Sequence, residues 1–406
     1  MGADKNQKGF SAIEAVVILA ILALVGWVGW QAFQRISRKH TTLSNTAGTQ
    51  QQTAADAMSA GRQLSGGQCQ GSGNGSKLSV SPMRAADFSH IEPYGLMVGG
   101  HVTPVDHQYY SPANFHSAKD TYPVYAMGDA KIVELEVHPT RIRLVFSVSC
   151  TFFYYYDLLT SVEPGINEKA LPIDVKAGQL IGHIGGQTLD FAVWDTTKPL
   201  QGFVVPEHYK SEAWKIYTAD PLDYETAELK TLSLSKYVRT VEPRSGKIDY
   251  DQDGKLIGTW FQTGTNGYGG ATEGGQTGYW VGHLSFAPDH YDSATQIISI
   301  GYLAPGDGAS QNQFAVPQDE PNPTTITPKS GLIKYSLKKW SYAKTDGSRW
   351  DSMSFTTGVT VSTTGQATAG CALVQMTGPR TLKFETFMGS DCTTVTGFKQ
   401  PKTYER

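Results

Sequence analysis

Charge is scarce in this chain of 406 residues. Only 17 % are Asp, Glu, Lys or Arg, and 34 Lys+Arg against 37 Asp+Glu leave a formal charge of -3. With no basic excess there is no electrostatic footprint for nucleic acid, which excludes that partner class. Cysteine is also sparse. The four present, Cys69, Cys150, Cys371 and Cys392, form no C-x-x-C pair, which argues against a zinc ribbon or a dithiol redox motif. No internal repeat of fixed period is found. No A-x-A-like cleavage site follows the one long apolar run, so that run does not read as a removable secretory signal. Hydrophobic residues make up 39 %, which excludes wholesale disorder, and the length suits two or three domains. The 43 glycines and 20 tyrosines beside so few charges are the composition of an exported, β-rich chain with many turns.

The apolar run is Phe10 to Phe33, FSAIEAVVILAILALVGWVGWQAF. As a helix it would span roughly 36 Å, enough for a bilayer core. One charge, Glu14, interrupts it, and a carboxylate at that depth needs a partner. A short leader with Lys5 and Lys8 ends at Gly9, directly before the run. The set Lys8-Gly9-Phe10-Ser11-Ala12-Ile13-Glu14 resembles the class III signal of type IV pilins and pseudopilins. The resemblance implies cleavage by a prepilin peptidase after Gly9, N-methylation of Phe10, and pairing of Glu14 with a neighbouring subunit's amine during filament assembly. The alternative is a plain membrane anchor. Arg35, Arg38 and Lys39 beyond the run leave orientation undecided by charge.

Beyond the run, residues 64–81 (LSGGQCQGSGNGSKLSVS) read as a flexible Gly/Ser linker. Strand signals then dominate, as in Ala130–Val137, Arg141–Val148 and the Thr151–Tyr156 run TFFYYY. Within this stretch come His101 to His107 (HVTPVDH), Tyr155-Tyr156-Asp157-Leu158, the turn Lys176-Ala177-Gly178-Gln179, and Thr188-Leu189-Asp190. Together they resemble the lysostaphin/LytM-type metallopeptidases, over about residues 90–200. That family implies a zinc held by a His, an Asp four residues later and the second His of a His-x-His motif, with two further histidines assisting. Here His101 stands for the first ligand, but Asp106 follows it by five residues. Thr188 and Asp190 fill the His-x-His places, and Asp157 replaces the histidine of a Tyr-Ala-His-Leu-like segment. The departures imply a scaffold without the family's chemistry. His101, Asp106, His107 and Asp190 remain candidate metal ligands, and a working zinc endopeptidase remains the alternative.

A second β-rich region runs to the last residue, with strands such as LIGTWFQ (256–262), YWVGHLSF (279–286) and RTLKFETF (380–387). It reads as an antiparallel barrel or sandwich. Its Asp249-Tyr250-Asp251-Gln252-Asp253-Gly254 matches the start of a calcium loop, but Trp260 stands where an EF-hand needs a bidentate Glu. The alternative is an acidic turn. Trp260, Trp280, Trp340 and Trp350 read as core or rim packing. An exported chain permits disulfides; Cys371–Cys392 is the preferred pair, leaving Cys69 with Cys150, though spacing alone allows three connectivities.

The expected protein is therefore mainly β with one long N-terminal hydrophobic helix. Its parts are a leader (1–9), a membrane and filament-core helix (10–63), a linker (64–81), a LytM-like β domain (82–243) and a C-terminal β-barrel-like domain (244–406). The expected function is a type IV pilin-like subunit displaying a non-catalytic head for adhesion, motility or cell-cell contact. Its partners would be related pilin subunits, the prepilin peptidase and, before assembly, the cytoplasmic membrane. The alternatives are a membrane-tethered zinc cell-wall endopeptidase and a pseudopilin of a secretion system. No cofactor is expected beyond a zinc or calcium ion at the sets just named.

Overall fold

A computed structural model describes residues 53–70, 78–273, 276–302 and 312–406. Gly9, Phe10 and Glu14 lie outside them, as does the apolar run. The expected long helix is corrected. Among the described residues no helix is long and apolar enough to cross a membrane. The expected stretch 10–63 is also interrupted at Thr53. That residue is extended (φ -77°, ψ 158°) and caps a short helix α1, Ala54–Leu64. Its hydroxyl accepts from Asp56 N–H and the Asp56 carboxylate accepts in return, so two otherwise unpaired helix-end donors are satisfied. α1 buries Ala57 and Gly61 against the body of the protein. A Cβ at Gly61 would overlap the Cys150 carbonyl oxygen, so only glycine permits this approach.

Both described ends of the expected linker 64–81 make contacts with the first β-rich region. Cys69 is joined to Cys150, and Leu78 is fully buried in a parallel bridge to Glu225. The described ends of the segment are thus fastened, one to the loop before strand Phe152–Leu159 and the other to the segment before helix Ala227–Lys236.

The first β body comprises β1 (Phe88–Glu92), β2 (Gln108–Pro112), β3 (Tyr122–Tyr125), β4 (Ala130–Val137), β5 (Ile142–Ser147), β6 (Phe152–Leu159), β7 (Ser161–Val162), β8 (Ile173–Val175), β9 (Leu180–Ile184), β10 (Leu189–Asp195) and β11 (Thr218–Ala219). The main sheet is antiparallel, ordered β1-β2-β10-β6-β5-β4-β8, with β11 beside β10; β3, β9 and β7 form a second small sheet. Side chains alternate between faces, and here both faces are covered. Tyr154 and Tyr156 of β6 join Phe191 and Val193 of β10 in one core. Phe153 and Tyr155 join Ala192 and Trp194 in another, against Phe203, Tyr209, Phe261 and Tyr268. That double burial explains why TFFYYY reads as a continuous apolar run. A helix α2, Ala227–Lys236, is capped by Thr226.

The second body adds β12 (Gly258–Gln262), a hairpin of β13 (Ala271–Glu273) and β14 (Gln276–Gly278), β15 (His283–Pro288), β16 (Gln296–Ile300), β17 (Gln313–Ala315), β18 (Ile333–Lys338), a hairpin of β19 (Ser341–Ala343) and β20 (Thr360–Ser362), β21 (Thr368–Gly378), β22 (Thr381–Met388) and β23 (Lys402–Glu405). β12, β15, β16, β17, β18, β21, β22 and β23 close into a barrel, which removes exposed sheet edges. Trp260, Leu284, Phe286, Ile298, Tyr335 and Leu382 fill it. Cys371 of β21 is joined to Cys392. The segment between the bodies is packed: the buried Arg239 donates to the carbonyls of Val241, Pro243 and His290 at 2.8–3.0 Å.

Candidate functional site

The peptidase-like positions meet on the sheet face that looks toward the barrel. Register puts them there. Asp190 of β10 pairs across to Asp157 of β6 on one side and to Tyr109 of β2 on the other. Each lies on the parity of Tyr155 and Trp194, so the row faces the inter-body core. Asp157 is held by an ion pair with Arg141 and accepts from Leu158 N–H at 2.7 Å. An open groove of about 670 Å³, lined in part by His116, His138, Arg141 and Gln187, borders this end of the row.

His107 stands between two carboxylates. Its Nε2 lies 3.4 Å from Asp190 Oδ2 and 2.9 Å from the Tyr109 hydroxyl; its Nδ1 lies 3.5 Å from Asp106 Oδ1. Burial opposes protonation, but the charges of Asp190 and Asp106 outweigh it and raise the imidazole above its ordinary value. Burial, only partly offset by His107, pushes Asp190 up to about 7. His101 packs edge-on to His107 with ring centroids 5.5 Å apart, and its Nδ1 lies 3.3 Å from the Tyr279 hydroxyl. Burial, with the charges of His107 and Lys215, lowers its pKa to about 3, so it is neutral.

Asp106 does not face open space. Lys215 Nζ donates to its Oδ1 at 2.6 Å, and Trp214 Nε1 donates to its Oδ2 at 3.0 Å. Lys215 is only 3 % exposed and Asp106 4 %. Nζ also lies 3.3 Å from Glu212 Oε2 and 4.6 Å from the Tyr268 ring centroid. Burial would raise the Asp106 carboxyl, but the lysine's charge and hydrogen bonds outweigh it and hold the group well below the usual carboxylate range. Burial works the other way on Lys215, and the two carboxylates overcome it and raise the ammonium. Burial raises Glu212 despite the lysine. The lysine and glutamate come from the 3₁₀ stretch Pro206–Tyr217, which kinks at Glu212 (φ -138°, ψ 64°). From the barrel side, Tyr268 stacks on Tyr279, and Trp280 presses against Gly100. The tyrosines and Trp280 thus cover the His101 side of this loop, while Val98, paired with His101, stays exposed.

A catalytic zinc takes three protein ligands at about 2.0–2.2 Å and keeps one position open. Here both oxygens of Asp106 already accept from nitrogen donors, one of them an ammonium that would repel a divalent cation. Asp190 is engaged with His107, and His101 with Tyr279. These residues do not fit a zinc ion. His101, Asp106, His107 and Asp190 are brought near one another, yet among the described residues no three His, Cys, Asp or Glu side chains make a metal-holding group.

The expected calcium loop is likewise dispersed. Asp249 accepts from Gly202 N–H at 2.7 Å and pairs with Lys247. Asp251 accepts from Thr259 N–H at 2.7 Å and Val204 N–H at 3.2 Å, with Arg406 at 3.6 Å. Asp253 takes a two-pronged contact from Arg380 at 2.9 and 3.2 Å. Each carboxylate holds a different segment: Asp249 and Asp251 reach across to the first body, and Asp253 stays at the surface with Arg380.

Lys215, Trp214, Glu212, Tyr109 and the covering tyrosines carry no motif. The one local sign is Glu212 three residues before Lys215, a spacing common on any solvated helix.

No family model matches this chain. No curated protein matches it either. Among solved structures, part of it is similar to Csd3 of Helicobacter pylori, at 18 % identity over 30 % of this chain and 31 % of that one, TM-score 0.23. The chain thus spans about a third of Csd3's length. It is similar to a zinc-containing peptidase of Vibrio cholerae, at 20 % identity over 30 % of this chain and 39 % of that one, TM-score 0.22. Lysostaphin, solved in solution, matches at 14 % identity over 70 % of this chain and 98 % of its own, TM-score 0.26. The similarity falls on peptidase-like proteins of the lysostaphin/LytM kind. Among the described residues no helix is long and apolar enough to cross a membrane, so the expected pilin, pilus and transmembrane reading finds no support there; Gly9, Phe10 and Glu14, which carry it, lie outside them.

Proposed function

We propose that this chain is an exported, non-catalytic surface protein: a peptidase-like sheet closed over by a β-barrel, serving as a structural or binding module outside the cytoplasm. One observation carries the reading: the Lys215 ammonium seated 2.6 Å from Asp106, at the place where a hydrolase of this kind would need a free carboxylate. An ammonium supplies the positive charge that the buried carboxylate needs, and it cannot activate water as a metal does. Two disulfides support an oxidising compartment.

The test is metal analysis of the purified full chain together with a peptidoglycan hydrolysis assay. Substoichiometric zinc, no hydrolysis and a melting temperature unmoved by chelator are expected. Stoichiometric zinc with hydrolysis that disappears in Asp106→Ala would replace this reading by the endopeptidase one.

A further inference from the structure

We propose that Lys215 and Asp106 become joined by an intramolecular isopeptide bond, with Glu212 as the proton relay. The geometry is that of reactants already assembled. Nζ is hydrogen-bonded to Oδ1 at 2.6 Å, which holds it against Cγ, the carbon to be attacked. The pair is almost dry: the lysine side chain is 4 % exposed and the aspartate side chain 5 %. The Tyr268 ring and the Trp214 indole stand over it. Glu212 Oε2 lies 3.3 Å from the same Nζ, within reach of the protons that must move. His107 also faces the carboxylate, with Nδ1 3.5 Å from Oδ1.

The step balances without any outside reagent. A proton passes from Nζ to Oδ1 along their hydrogen bond, turning ammonium and carboxylate into amine and acid. The pair rests as ammonium and carboxylate, so this transfer is the uphill step, and the 2.6 Å separation of Nζ and Oδ1 keeps its path short. The amine attacks Cγ and the C–N bond forms. Negative charge develops on Oδ2, where Trp214 Nε1–H already donates at 3.0 Å and stabilises it. Glu212 takes the second proton from nitrogen and returns it to the Oδ1 hydroxyl. The C–O bond breaks and one water leaves. Preassembly replaces the concentration and activation that an uncatalysed amide condensation lacks. The product ties the Pro206–Tyr217 segment to the strand-entry loop across 109 residues of sequence and removes a buried ion pair.

The test is the intact mass of the full chain after disulfide reduction, followed by digestion and fragment sequencing. The expected result is a chain lighter than its sequence by one water, with a branched peptide joining Lys215 to Asp106. Glu212→Gln is expected to restore the full mass, or to slow the loss enough for both masses to appear. A parent chain at full sequence mass overturns the proposal. So does a water loss that maps to a cyclic imide elsewhere. The proposal uses the carboxylate on which the non-catalytic reading rests, but mass decides it separately from metal content and hydrolysis.

Discussion

Replacing Asp251 by Asn tests both the packing between the two bodies and the dismissal of calcium. Asp251 Oδ1 accepts from Thr259 N–H at 2.7 Å, and Oδ2 from Val204 N–H at 3.2 Å. An asparagine offers one acceptor and one amino group. Whichever way it turns, one backbone donor faces another donor, a loss of about 1–3 kcal/mol. The substitution also removes the counter-charge of Arg406, whose side chain is 1 % exposed and stacks 4.1 Å over Trp260. Stripping one partner from a buried pair costs about 3–5 kcal/mol in total, a range that includes the lost hydrogen bond. At about 2–4 °C per kcal/mol for a unit of this size, Tm should fall by about 6–20 °C. The assay is calorimetry at pH 7.5. Burial raises the Asp251 carboxyl to about 6 despite Arg406, so at that pH the parent carboxylate is ionised. Millimolar calcium should leave the parent Tm unchanged. A bound cation at about a hundred times its Kd would add about 2.7 kcal/mol. A Tm within about 1 °C of the parent, or a calcium-dependent rise in the parent that Asp251→Asn abolishes, would refute the reasoning.

Three further predictions concern the scaffold. Burial lowers His90 to about 4 and His283 to about 3, so both are neutral in the fold. Stability they contribute is present above the unfolded value near 6.5 and is lost as pH falls toward 4, at about 1.4 kcal/mol per pH unit for each. Denaturant midpoints from pH 7 to 4.5 should show it, with a shallower decline in His283→Asn; parallel curves would count against it. The Cys69–Cys150 bridge spans 81 residues and Cys371–Cys392 spans 21, so loop entropy predicts losses of about 4.5 and about 3.3 kcal/mol when each pair is replaced by serine. Denaturant unfolding of the two paired variants measures them, and the reverse ranking would show that chain entropy is not the controlling effect. Gly61→Ala should destabilise by about 1–3 kcal/mol, despite the helix propensity it gains, because its Cβ meets the Cys150 carbonyl. Gly165→Ala, whose Cβ meets open space, is the control and should stay within about 0.5 kcal/mol in the same assay.

The β content and most of the strands are legible from the residues alone. Alternation and apolar runs place Ala130–Val137, TFFYYY and RTLKFETF in strands, because the period of two is local to the chain. The Lys176–Gln179 turn is legible for the same reason: Gly178 sits at φ +80°, where a side chain would strain. Barrel closure was less legible, since barrel and sandwich share strand patterns and differ only in whether β12 meets β23. The site was legible only as a set of departures. His101, Asp106 and Asp190 mark where a metal would be expected, but nothing in their spacing shows which partner each one takes. That was decided by tertiary structure. Lys215 reads locally as one more surface cation beside Glu212, yet the fold carries it across 109 residues of sequence to a buried carboxylate. Asp249, Asp251 and Asp253 look convergent on paper, but the fold turns each toward a different nitrogen, the first two toward the other body and Asp253 toward the exposed Arg380. Secondary structure follows from short-range sterics and periodicity, whereas the charge that meets a buried carboxylate depends on which distant segment the cores bring against it.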